Sequence, residues 1–176
     1  AQLEEQASAT SLMLPTEEGS TSSRVADTVT GAGSQSLFGG VNSSGVLYAE
    51  MAALSDGLTD RFMSMSNGNT SDRLMLGFSN SSNKVFALGY VSNVVQFVID
   101  YTLADETEFS KVGLRYAENN FSLWVDGVER ATDTNGSTFA ADTLTELNFD
   151  VGNGNVFFGK TKGLAVLNYL SDAEMI

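Results

Sequence analysis

Residues Lys111–Arg130 read KVGLRYAENNFSLWVDGVER. Val112, Leu114 and Tyr116, then Phe121, Leu123 and Val125, alternate with polar or small residues at the period of a half-buried strand. Glu118-Asn119-Asn120 separates the two runs. Asp126-Gly127 then sits between Val125 and Val128 and suits a type I′ hairpin turn, whose two central residues both need φ > 0. The stretch therefore predicts three short strands, two tight turns and one apolar face. It makes the class all-β and carries the only tryptophan, Trp124.

Outward from this meander, turn-forming clusters recur about every 8–12 residues, the spacing of an antiparallel sandwich or barrel. They are Ser55-Asp56-Gly57, Asn67-Gly68-Asn69, Asn80-Ser81-Ser82-Asn83, Thr134-Asn135-Gly136 and Gly152-Asn153-Gly154-Asn155. Between them the expected strands are Arg24–Thr30, Gly45–Leu54, Arg61–Ser66, Arg73–Ser79, Lys84–Val91, Val94–Leu103 and Phe109–Tyr116. Phe121–Asp126, Val128–Thr132, Leu144–Asp150, Val156–Phe158 and Lys160–Tyr169 complete the set. Leu74, Leu76 and Phe78 oppose Arg73, Met75 and Gly77. Phe86, Leu88 and Tyr90 oppose Val85, Ala87 and Gly89, so the opposing face is small and apolar rather than charged. Some strands are thus covered on both sides, or curve so that one face is a shallow trough.

Composition excludes several kinds of chemistry. The 176 residues include neither Cys nor His, which removes disulfides, thiolate or imidazole metal sites and His-based catalysis. Twenty-two acidic against nine basic residues give a formal charge of −13, a poor match to phosphate backbones and anionic lipid. Neither nucleic acid nor membrane insertion is expected, and no run of about 18 apolar residues occurs. Residues 1–22 read as the end of a preceding module and a polar linker, and 23–176 as the sandwich. Both ends are abrupt, which suggests a piece of a longer polypeptide. Ser171 with Glu174 has the capping-box spacing that starts a helix.

Three groups of residues together resemble a known family. They are K-V-x-L-x-Y-x-x-N-x-F-x-L-W-V-x-G-V-E (Lys111–Glu129), L-N-F-D-x-G (Leu147–Gly152) and F-G-K-T-K-x-L-A-V (Phe158–Val166). They are similar to the concanavalin A-like lectin/glucanase superfamily, and most to its laminin-G-like jelly rolls of bacteriophage tail fibres and bacterial surface proteins. S-R-V-A-D (Ser23–Asp27) and G-V-L-Y-A-E-M-A-A-L (Gly45–Leu54) resemble the start of such modules. Ala1–Glu5 and the residues to Thr16 resemble the closing strand of a carbohydrate-binding jelly roll. The resemblance implies a two-sheet antiparallel jelly-roll sandwich with six or seven strands per sheet, one sheet concave and able to hold sugar. Glucanase members carry E-x-D-x-E on that face, and this chain lacks it. Its nearest acidic cluster, Asp105-Glu106-Thr107-Glu108, falls in a polar turn where side chains should face solvent. No enzyme activity is expected.

Trp124 is the sharpest candidate for ligand contact. Alternation turns it and Ser122 away from Phe121, Leu123 and Val125, beside Gly113 and Arg115 across the hairpin. An indole next to a guanidinium offers a stacking face and hydrogen-bond donors to a sugar. The same two groups could instead pack under a loop or against another subunit. Tyr48, Glu50, Gln96, Asp100 and Met75 could line the same trough or form solvated sheet faces. Asp56 with Asp60, Asn67 with Asn69, Asp133 with Asn135 and Asn153 with Asn155 supply oxygens. Turn chemistry accounts for them, while the resemblance leaves a structural Ca²⁺ open; no other cofactor is expected. The expected function is a non-catalytic module binding bacterial surface glycan, as a homotrimer in a phage tail fibre or tailspike of the virion. The alternatives are a carbohydrate-binding or adhesive module of a secreted or cell-surface bacterial protein, and a structural spacer.

Overall fold

The computed structural model describes residues 43–56, 59–151 and 156–176. The expected strand Arg24–Thr30, the boundary at residue 22 and the turn at 152–155 lie outside the described residues. Among the described residues, β1 (Gly45–Ala53), β2 (Arg61–Ser66), β3 (Arg73–Phe78), β4 (Lys84–Val91) and β5 (Val94–Thr102) are followed by β6 (Ser110–Ala117) and β7 (Asn120–Val125). β8 (Val128–Asp133), β9 (Glu146–Asn148) and β10 (Gly159–Leu167) complete the strands. They form two five-stranded antiparallel sheets: a first sheet in the order β10-β1-β6-β7-β8 and a second in the order β5-β4-β3-β2-β9. Of the expected Val156–Phe158 strand, Val156 alone forms a bridge, to Phe62.

The opening meander folds as its turns require. Asp126 and Gly127 have φ of 51° and 74°, so the β7–β8 turn takes the left-handed conformation at both central residues. Asn119 does the same (φ 54°) between β6 and β7. The registers Val112↔Val125, Leu114↔Leu123 and Tyr116↔Phe121 put six apolar residues on one face. That face meets Leu74, Leu76, Phe78, Val85, Ala87, Phe97 and Ile99 of the second sheet in one continuous core. Phe97 and Phe121 stack across the sheets at 4.3 Å. Phe97 has room because its neighbour on β4 is Gly89, where a Cβ would lie 2.3 Å from its ring. Tyr116 is fully buried, and desolvation pushes its hydroxyl well above the usual tyrosine range.

One expectation is corrected here. Glu106 does not face solvent; its side chain has no exposed surface and accepts a hydrogen bond from Arg61 Nη2 at 2.7 Å. The Glu106 backbone is fixed as well, its N–H donating to Asn83 Oδ1 (2.9 Å) and its carbonyl accepting from Ala53 N (2.7 Å). Arg61 also donates through Nη1 to the Ser55 carbonyl (3.0 Å) and lies over the Phe78 ring. One member of the polar quartet is drawn inside because a buried cation, Arg61, pairs with it. The neighbours Asp105 and Thr107 stay outside, and hydrogen bonds from Thr107 hold the Asp105 carboxyl below the usual carboxylate range.

Removing one partner of a buried pair strands the other charge, so Glu106→Ala is expected to lose about 3–5 kcal/mol of stability in urea unfolding. Replacing both, as Arg61→Met with Glu106→Leu, should recover most of that loss.

Candidate functional site

Each sheet has an outer face, and the two are built differently. On the second sheet, register lines up three rows across β2, β3, β4 and β5: Phe62, Gly77, Phe86 and Asp100; Ser64, Met75, Leu88 and Val98; Ser66, Arg73, Tyr90 and Val95. The large residues of β4 therefore point outward, and the small ones, Val85, Ala87 and Gly89, point into the core. Phe62 and Phe86 approach to 5.8 Å across Gly77, a position where a Cβ would collide with the Arg61 carbonyl at 1.9 Å. Phe62, Met75 and Val151 form a separate small cluster against which Phe86, Leu88 and Tyr90 are half-buried.

Over this cluster lies a cleft of about 370 Å³, lined chiefly by Phe62, Met75, Phe86, Leu88 and Tyr90. Polar groups stand at its rim. The Arg73 guanidinium lies 4.7 Å from the Tyr90 ring centre and donates through Nη1 to the Val151 carbonyl at 2.9 Å. Asp60 accepts from the Asn80 backbone N–H at 2.8 Å, and Ser79 and Asn80 line the same end. Ser64 Oγ donates to the Asp150 carbonyl, which holds the Asp150–Val151 segment against the sheet. Asp100, on the edge strand, pairs with Lys84 at 3.1 Å. An apolar floor with aromatic rings and a polar rim is the construction of a small-molecule site.

The outer face of the first sheet carries Trp124 and Arg115, opposite Gly113 and Ser122 as alternation requires. Tyr48 sits beside Gly113, and Glu50 beside Lys111, on the same face. Residues after β10 fold back over it. Arg115 lies between the Trp124 and Tyr169 rings, 5.5 and 5.6 Å from their centres, and forms an ion pair with Asp172. Met175 fills the space left by Gly113, Ile176 lies near Gly127, and Trp124 is 7% exposed. Its indole N–H donates to Ser122 Oγ at 2.8 Å. The expected helix start at Ser171 is a single 3-10 turn, Asp172–Glu174, closed by the capping box.

The single trough expected from sequence is corrected by this arrangement. Tyr48, Glu50, Arg115 and Trp124 share the first sheet, whereas Met75 and Asp100 lie on the second. Gln96 faces neither centre. It sits at the β4–β5 bulge and accepts from the Ser137 N–H at 2.9 Å, tying down the 134–137 loop. The aromatic floor of Phe62, Phe86 and Tyr90 escaped sequence reasoning; its one signal was the bulky face of Lys84–Val91 opposed by an apolar face. Several Asp and Asn oxygens of the turns are engaged at home: Asn69 Oδ1 accepts from Ser71, Asp133 Oδ1 from Asn135 N, and Asp72 Oδ2 from Asn67. Among the described residues, no cluster of three or more Asp or Glu residues is placed to hold a metal ion.

Solved structures share this architecture. The CBM40 module of the Ruminococcus gnavus IT-sialidase superposes with a TM-score of 0.60 at 18% identity, over 76% of this chain and 81% of the module. Another structure of that module is bound to α2,3-sialyllactose. A SAP-like pentraxin of Limulus polyphemus gives 0.58 at 11% identity, over 76% of this chain and 68% of its own. The NanB sialidase of Streptococcus pneumoniae gives 0.58 at 11%, over 75% of this chain and 23% of its own. The fold is a jelly-roll sandwich. No family model and no curated protein matches the sequence.

The capping box makes the C-terminal turn sensitive to acid. Hydrogen bonds from Ser171 hold the Glu174 carboxyl below its ordinary value of 4.5, so its contribution is full above that pH and is lost as pH falls through the lowered value. Iodide quenching of the single Trp124 is therefore expected to rise on acidification below about pH 4.5. In Glu174→Gln the rise should be smaller.

Proposed function

We propose that this chain is a non-catalytic glycan-binding module and that saccharide lies on the outer face of the second sheet. The observation that carries this reading is the half-buried pair Phe86 and Tyr90, set on a rigid sheet over Phe62 and Met75 and rimmed by Arg73, Asp60 and Asn80. A pyranose presents an apolar C–H face to such rings, while its hydroxyls need donors and acceptors at the edge. A strand-borne platform keeps the rings in place without an ordering cost on binding. Asp60 is the one carboxylate lining the described cleft, whereas two-carboxylate glycoside hydrolysis needs a pair. The likeness in fold to a carbohydrate-binding module supports the same reading.

The resemblance of Lys111–Glu129 to tail-fibre jelly rolls supports a finer reading, attachment of a phage to bacterial surface glycan. Weak single sites would then gain from avidity in a homotrimer. Sedimentation of the protein tests this: three copies favour the fibre, a monomer the secreted adhesive module.

On a glycan array, Phe86→Ala and Tyr90→Ala are expected to weaken binding about ten-fold or more each, the scale of an aromatic contact of ~1.5 kcal/mol. Thermal unfolding checks that both variants fold. Unchanged binding in two folded variants would sink the assignment to this face.

A further inference from the structure

The covered face of the first sheet holds a cation in an unusual setting. Arg115 is 5% exposed and sits between two aromatic rings. Its Nη2 contacts Glu129 Oε2 at 3.3 Å, long for a charge-assisted hydrogen bond, and its buried Nε has no hydrogen-bond partner. The close neutralising contact comes from Asp172 to Nη1. Yet Asp172 belongs to a turn with no buried residue, and its own side chain is 76% exposed. The covered guanidinium is thus paired with Glu129 on its own sheet and with a carboxylate on an exposed turn of the covering segment.

We infer that Arg115 and Trp124 form a second binding site, for a carboxylate-bearing saccharide, and that Asp172 fills its anion position when no ligand is bound. Exchange of Asp172 for a ligand carboxylate keeps the charge on Arg115 paired, so the buried cation is never left alone. It also lifts the Asp172–Glu174 turn away from Trp124 and opens the indole to a sugar ring. Tyr48 and Gly113 continue the surface, since Tyr48 pairs with Gly113 and Gly113 with Trp124. Gly113 leaves that surface flat, and the space above it is taken by Met175 of the same covering segment. A neutral sugar has no group to replace Asp172, which sets the ligand class. The charge of −13 does not forbid an anionic ligand, because salt screens exposed charges beyond about 8 Å while the Arg115 contact is direct. A tethered carboxylate competes at an effective concentration on the order of millimolar or higher, so the native chain should bind such a ligand weakly.

Trp124, as the only tryptophan, reports on this site directly. The full chain and Asp172→Ala are titrated with glucuronate, and with glucose as the neutral control, while iodide quenching of Trp124 is followed. Asp172→Ala is expected to raise quenching several-fold, and glucuronate to reverse it at a concentration at least ten-fold below that needed in the native chain. Glucose should do neither. Adding Arg115→Lys keeps a cation but loses the planar fork, and should remove most of the glucuronate response; circular dichroism confirms that this double variant is folded. Quenching in Asp172→Ala equal to the native chain, or equal responses to glucuronate and glucose, would overturn the inference. Phe86→Ala with Tyr90→Ala should leave the response intact, which separates this site from the cleft on the second sheet.

Discussion

The contact between Arg61 and Glu106 governs how one end of the sandwich closes. Both side chains are fully buried, and charges in that position are tolerated only when paired and hydrogen-bonded. Satisfying them draws four segments together: the end of β1 through Ala53, the following Ser55, the β3–β4 turn through Asn83, and the connection from β5 to β6 that carries Glu106. The pair also sets parity. With Arg61 facing inward beside Phe78, the next residue, Phe62, must face outward, and the rest of β2 follows. A slip of one residue would turn every side chain of that strand to the wrong face. The outer rows of the second sheet, and with them the cleft, inherit their alignment from this anchor.

The two outer faces show different solutions to the same problem. A sheet of mostly apolar residues needs cover on both sides or a surface that tolerates water on one. Among the described residues, the second sheet leaves its aromatic rows open and trims them with Arg73, Asp60 and the Lys84–Asp100 pair. The first sheet is roofed by the chain itself, through Tyr169, Asp172 and Met175. The aromatic face suits the glycan site proposed for it. On the readings proposed above, the roofed face would take a ligand only by exchange, so the two faces would offer a permanent site and a conditional one.

Much of the fold was legible locally. Arg61–Ser66 and Lys84–Val91 match their expected bounds, and the Asp126-Gly127 and Asn119 turns adopt the φ values their residues invite. Leu144–Asp150 shrank to Glu146–Asn148 because its later residues bond sideways. The Asp150 carbonyl accepts from Ser64 Oγ instead of extending the ladder. The site was less legible. Val85, Ala87 and Gly89 look like an outer face beside Phe86, Leu88 and Tyr90, yet the small residues lie in the core, where Phe97, stacked on Phe121, fills the space over Gly89. Glu106 looked solvated because its partner lies 45 residues away in sequence.

Sequence by itself determined the all-β class, the hairpin positions, the alternation that sets Trp124 and Arg115 against the core, and the lack of His and Cys chemistry. These follow from local sterics and from residue types present or absent. Tertiary structure alone decided which of two apolar faces became core, which acidic residue was drawn inside, and which candidate residues share a surface. Those outcomes depend on contacts between strands far apart in the chain, where volume and charge must be matched across the whole sandwich rather than along one strand.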